Sequence, residues 1–150
     1  MLYICGSNLE SDYGCASEDI GEVLSVPNKP DDVNIIIETG GTTRWHRYNI
    51  ASNVLSRYHV ENQKLVLDTT LPKENMGKQS TFESFLTWGL QSYPADKTGI
   101  ILWNHGGALG GCCYDDSIGS SDSLLNSETS SAFKKVFSAN GVDKLEPSSH

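Results

Sequence analysis

His105 follows the apolar run Ile100-Ile101-Leu102-Trp103 and precedes Gly106-Gly107. A histidine directly after a buried strand lies at the mouth of a sheet, where its imidazole can take or give a proton near neutral pH. The two glycines permit close approach of a substrate and leave amide N–H groups to face an oxyanion. A turn histidine with glycines for chain reversal accounts for the same residues. His46 and His59 lie among Arg44, Arg47 and Arg57 and read as surface or structural histidines, and His150 is terminal.

The four cysteines, Cys5, Cys15, Cys112 and Cys113, form neither a C-x-x-C pair nor a zinc-like spacing. Cys5 sits in an apolar run and reads as a buried thiol. Asp115, Asp116 and Asp122 cluster in the loop after His105. They read either as a pocket for a cation or basic side chain or as a solvated loop, and calcium would need several such oxygens. Trp45, Trp88 and Trp103 are too scattered for a stacking platform and read as packing residues.

Nineteen acidic against eleven basic residues give a net charge of −8. Nucleic acid, whose backbone needs a basic face, is an unexpected partner. No apolar run approaches the roughly 18–20 residues of a membrane span, and no basic segment precedes an apolar one, so neither a membrane helix nor a signal peptide is expected in this chain. The 150 residues suit one domain, and an apolar content of 37% suits a buried core.

These residues need a frame. Leu2-Tyr3-Ile4-Cys5 reads as a strand stopped by Gly6-Ser7-Asn8, and its first half is expected to lie upstream of this chain. A helix is predicted from Ser17, as its cap, to Ser25, with Ile20, Val23 and Leu24 on one face. Val33 to Ile37 is predicted as a central strand buried on both faces, ending at Thr39-Gly40-Gly41. Residues 43–72 change character. Residues 55–60 and 65–69, joined by a four-residue turn over 61–64, predict a β-hairpin that leaves the main sheet. Ser80 and Glu83 have capping-box spacing before a helix that buries Phe82, Phe85, Leu86, Gly89 and Leu90. A strand over 100–103 follows. Asn126 is predicted to cap a last helix, with Ala132, Phe133, Val136 and Phe137 inward and a stop at Asn140-Gly141. Strands alternating with helices imply an α/β fold, a parallel sheet covered on both faces. The strand ends at Gly6, Gly41 and His105 should then share one edge, where such sheets bind ligands.

Taken in order, Leu2 to Glu10, Asn34 to Gly41, Asn75-Met76-Gly77, Tyr93 to Asp96 and Leu102 to Gly107 resemble the clostripain-type cysteine peptidases, over residue 2 to about residue 145. The resemblance implies a caspase-like α/β sandwich with helices on both faces. It implies an endopeptidase that cuts after Arg or Lys with a His–Cys dyad. His105 would be the catalytic histidine, and the N–H of Gly106 would serve the oxyanion hole. No cofactor is expected, although the resemblance allows calcium, and it suggests a secreted or cell-surface protein. Partners would be peptide or protein substrates with basic residues.

The nucleophile has no counterpart here. In related caspases the cysteine follows the histidine by about 50 residues, which points to about residue 155. Instead of an apolar strand and Asp-Ala-Cys, Leu145-Glu146 leads to Pro147-Ser148-Ser149-His150. Cys112 and Cys113 lie only seven and eight residues past His105, without the strand-end placement that fixes a nucleophile. Of the basic residues at which self-cleavage would occur, Lys134 and Lys135 fall in the predicted last helix and Lys144 beyond it. The expectation is therefore a partial peptidase domain over 1–150, incomplete at its C-terminal strand, with a hairpin insertion over about 43–72. It would be inactive alone and completed by a Cys-bearing C-terminal segment. The alternative is a non-catalytic caspase-like module that binds peptides or partners.

Overall fold

The computed structural model describes residues 1–27, 30–107, 110–119 and 122–142. Among these described residues five strands form one open sheet: β1 (Leu2–Cys5), β2 (Ile36–Gly40), β3 (Val54–Glu61), β4 (Lys64–Pro72) and β5 (Ile101–Trp103). Four α-helices accompany them there: α1 (Ser7–Tyr13), α2 (Cys15–Ser25), α3 (Gln79–Ser92) and α4 (Asn126–Ala139). The sheet order is β4-β3-β2-β1-β5. β1 runs parallel to both β2 and β5, whereas β3 and β4 are antiparallel additions.

Alternation along β1 divides the core. Tyr3 and Cys5 point to the side covered by α3 and α4, among Phe82, Phe85, Leu86, Ala132 and Val136. Ile4 points to the side covered by α2, with Ala16, Ile20, Leu24, Ile37, Tyr58 and Val60. Helices on both faces were the expectation, and both are present. Tyr3 lies 5.2 Å from the rings of both Phe82 and Phe85, and its buried hydroxyl donates to the Met76 carbonyl at 3.0 Å. Full burial of each such phenylalanine is worth about 1.5–3 kcal/mol.

Several elements differ from expectation. β2 lies three residues later than the apolar run suggested, because pairing with β1 sets Leu2 against Ile37 and Cys5 against Gly40. Val33 is left exposed. The hairpin forms, but it extends the main sheet through β2–β3 pairing instead of leaving it. Its turn is shorter than expected, since Glu61 already pairs with Lys64. Ser17 is not a cap: α2 begins at Cys15, and Ser17 is buried inside it. The capping box at Ser80 and Glu83 does not form, because α3 starts at Gln79, and Glu83 instead accepts from the Gln79 side chain. At α4 the N-cap is Leu125, one residue before Asn126, and Glu128 accepts from the Leu125 N–H at 2.9 Å. The helix ends at Asn140-Gly141 as expected.

The segment read as a strand stop is a helix, α1. Gly14 separates it from α2 in the left-handed conformation, with φ of 72°. That geometry favours glycine, which carries no Cβ to clash there. Glu10 fixes this corner. Its buried carboxylate accepts from the Ser17 N–H at 2.9 Å, the Ser17 hydroxyl at 2.5 Å and the His46 N–H at 2.7 Å. The loop around His46 is thereby pinned to α1.

Candidate functional site

The parallel register carries the C-terminal ends of β1, β2 and β5 to one edge. Cys5 is opposite Gly40, and Ile4 is opposite Trp103. Gly6 and Gly41 follow directly and His105 one residue further on, so the expected common edge exists. The Gly6 and Ser7 amides extend the ladder, donating to the Gly40 and Gly41 carbonyls at 2.9 and 2.8 Å. Ser7 takes a left-handed φ of 43° there, and the Thr42 hydroxyl donates to its carbonyl at 2.9 Å. A non-glycine residue in that region is strained and persists where its surroundings fix it.

Asn104 clamps this edge. Its amide donates to the Cys5 carbonyl at 2.5 Å and the Ser7 hydroxyl at 2.9 Å, and its oxygen accepts from the Tyr114 N–H at 2.9 Å. One side chain thus binds the ends of β1 and β5 and the returning loop. His105, the next residue, is exposed, and its Nε2 lies 2.7 Å from Asn8 Oδ1. Sequence reasoning did not single out Asn8 or Asn104 for a role, because both act through pairing between strands far apart in the chain.

Gly106 is exposed, its N–H makes no hydrogen bond to any described residue, and a Cβ there would meet nothing within 4 Å. The backbone past His105 therefore offers an amide and open space together. Gly107 differs: a side chain there would run into the Tyr114 hydroxyl. Its N–H donates to the Gly111 carbonyl at 2.8 Å, closing the loop. Two surface hollows lie away from His105, one beside Arg57 and Lys135 and the other beside Val23 and Gln63.

The other candidates separate clearly. Cys5 is fully buried, and burial pushes its thiol well above the ordinary range. Cys113 is fully buried in the core with Tyr3 and Phe82, and its thiol is pushed up by its hydrogen bond to Cys112 and by burial. Neither presents the thiolate that attack requires. Cys112 is half-buried, its backbone bridged to Gly106 and Leu124, and the hydrogen bond from Cys113 lowers its pKa. His59 pairs with Asp68 at 2.6 Å, and the His46 Nε2 is 3.1 Å from the Ser11 carbonyl, so both serve structural contacts. Trp88 and Trp103 also pack: Trp88 lies under Arg57 at 5.1 Å, and Trp103 donates to Asp19 at 2.6 Å.

The acidic cluster diverges into separate tasks. Asp115 accepts from the Met76 N–H at 3.0 Å and from the Ser117 N–H and hydroxyl. Asp116 accepts from the Asn8 N–H at 3.1 Å, and Asp122 from the Asn75 amide at 2.9 Å. Among the described residues no three acid, His or Cys side chains are grouped to hold a metal ion.

The clostripain family model matches residues 2–145. Among solved structures, a secreted C11 cysteine protease from Bacteroides thetaiotaomicron, in complex with an irreversible peptide inhibitor, is similar with a TM-score of 0.61 and 23% identity. The match covers 89% of this chain and 37% of that one, so this chain spans little more than a third of that protein's length. No curated protein matches. The structural likeness shows the fold, a caspase-like open sheet between two helical layers. Residues 2–145 place this chain in the clostripain family.

Proposed function

We propose that the chain is the histidine-bearing part of a cysteine endopeptidase domain, completed by a segment that supplies the nucleophilic cysteine. The observation that carries this reading is the exposed His105 at the end of β5, directly followed by exposed Gly106, whose N–H makes no hydrogen bond to any described residue. Clostripain-family membership supports it.

In this mechanism His105 takes the proton of the incoming thiol, and the thiolate attacks the scissile carbonyl. The Gly106 N–H donates to the resulting oxyanion. The imidazolium then protonates the departing amine, leaving a thioester that water hydrolyses. Cleavage after Arg or Lys follows from the family resemblance, and the net charge of −8 accords with a cationic substrate. Secretion fits as well, since the similar Bacteroides protein is a secreted one. No described helix is long and apolar enough to cross a membrane.

The test uses a peptide reporter ending in Arg or Lys. The chain alone is expected to leave it uncut, because loss of the nucleophile costs about a millionfold in turnover in a serine-protease triad. Joined to a Cys-bearing C-terminal segment, it should cut, and His105→Ala should abolish cutting. If the joined protein stays active with alanine at 105, the dyad assignment fails. Should the chain alone be active and lose activity on Cys112→Ala, the nucleophile lies within it. A joined protein that binds the peptide without cutting it would favour the non-catalytic module.

A further inference from the structure

We propose that Asn8 is the positioning residue for His105, holding the imidazole as its Nε2–H tautomer so that Nδ1 is the nitrogen that exchanges protons with the thiol and the leaving amine. This rests on the catalytic reading of His105 and assigns each ring nitrogen its part.

Asn8 Oδ1 faces His105 Nε2 at 2.7 Å. An amide oxygen only accepts, so the ring nitrogen opposite it must carry the hydrogen. The neutral imidazole then has its lone pair on Nδ1, and the hydrogen bond at Nε2 persists when Nδ1 gains a proton. Asn8 is itself held in place. It lies in the first turn of α1, and its N–H donates to Asp116 at 3.1 Å. On the other side, Asn104, the residue before His105, is tied to the end of β1. The two strand ends that present Asn8 and His105 therefore cannot drift apart independently. Both residues are exposed, so the contact adds little to stability and its effect is on orientation.

The test is 15N NMR of the His105 ring in this chain, which needs no nucleophile. At a pH where the ring is neutral, Nε2 should carry the proton almost wholly. Asn8→Leu removes the acceptor and should relax the ring towards the tautomer mixture of an unconstrained imidazole, whereas Asn8→Asp keeps an acceptor and should keep the tautomer. In the protein joined to a Cys-bearing segment, Asn8→Leu should lower kcat about 10–100-fold with KM unchanged, and Asn8→Asp should restore most of it. A native ring protonated on Nδ1 overturns the proposal without any variant. So does an Asn8→Leu protein whose tautomer or kcat matches the native one. Persistence of turnover in His105→Ala would instead overturn the catalytic reading, while the tautomer result would still stand.

Discussion

Glu38 is a carboxylate in the middle of β2, fully buried, with Arg57 of β3 opposite it at 2.5 Å. The guanidinium also donates to the Ser84 hydroxyl at 2.8 Å and lies over Trp88. One Glu38 oxygen has no partner among the described residues. Burial raises the Glu38 pKa from 4.5 to about 7, and Arg57 offsets only part of that cost. The folded state thus holds this proton more tightly than the unfolded chain. Its contribution is complete below about pH 4.5 and is lost as the pH rises through about 7. A shift of this size corresponds to about 3 kcal/mol. Glu38→Gln removes the titration and keeps the shape. Urea unfolding of both proteins at several pH values should show their stability difference changing by a few kcal/mol across that window, with the native protein losing more as pH rises. Parallel pH profiles would exclude Glu38 as the source. Its role was hidden in the sequence, where Glu38 sits in an apolar strand and its partner comes from a hairpin nineteen residues on.

At the scale of elements, the β3–β4 turn shows a local conflict. Asn62 and Gln63 both have positive φ, 49° and 60°. A two-residue hairpin turn of this kind matches the sheet's twist and favours Asn-Gly. Asn62 suits it, but Gln63 carries a Cβ into a conformation that costs such residues about 1–2 kcal/mol. Gln63→Gly should therefore stabilise the protein by on the order of 1 kcal/mol, raising Tm by a few degrees in calorimetry. An unchanged or lower Tm would show that the 3.5 Å contact from Gln63 to the Ser25 carbonyl matters more than the backbone. The same hairpin shows what the sequence made readable. Its two strands were visible in the residue pattern, but its turn length was not, because positive φ at Asn-Gln has no strong sequence signal. Nor was its place in the sheet, which depends on β2 pairing. Helix α1 was missed because Ser7 to Tyr13 has little apolar periodicity and is held by Glu10 and Gly14 instead. The place of His105 at the end of β5 was legible because it follows an apolar strand and precedes two glycines. Asn8, which faces it, becomes meaningful only once β1 and β5 are paired.

Across the whole molecule, the sheet has two unlike edges. β4 carries Lys64, Asp68 and Pro72, residues that discourage pairing with another chain. β5 is Ile101-Leu102-Trp103, without a charge, and Ile101 is 56% exposed. Among the described residues only its short length limits pairing. Its inner side is already taken by β1, with the Ile101 N–H donating to the Met1 carbonyl at 2.9 Å, so any further strand must add on the outside. The same position would set a cysteine-bearing strand beside His105 in the proposed peptidase. The chain alone should accordingly self-associate through β5 as its concentration rises, which sedimentation velocity would register as a shift to larger species. Ile101→Lys places a charge on that edge and should restore the monomer. Leu67→Lys makes the same change at a residue 54% exposed on β4 and should leave association as it was. A native chain that stays monomeric at high concentration, or equal effects of the two lysines, would mean that β5 is not the adhesive edge. Binding of a Cys-bearing segment should compete with self-association, because both would use one row of backbone groups, and Ile101→Lys should weaken both together.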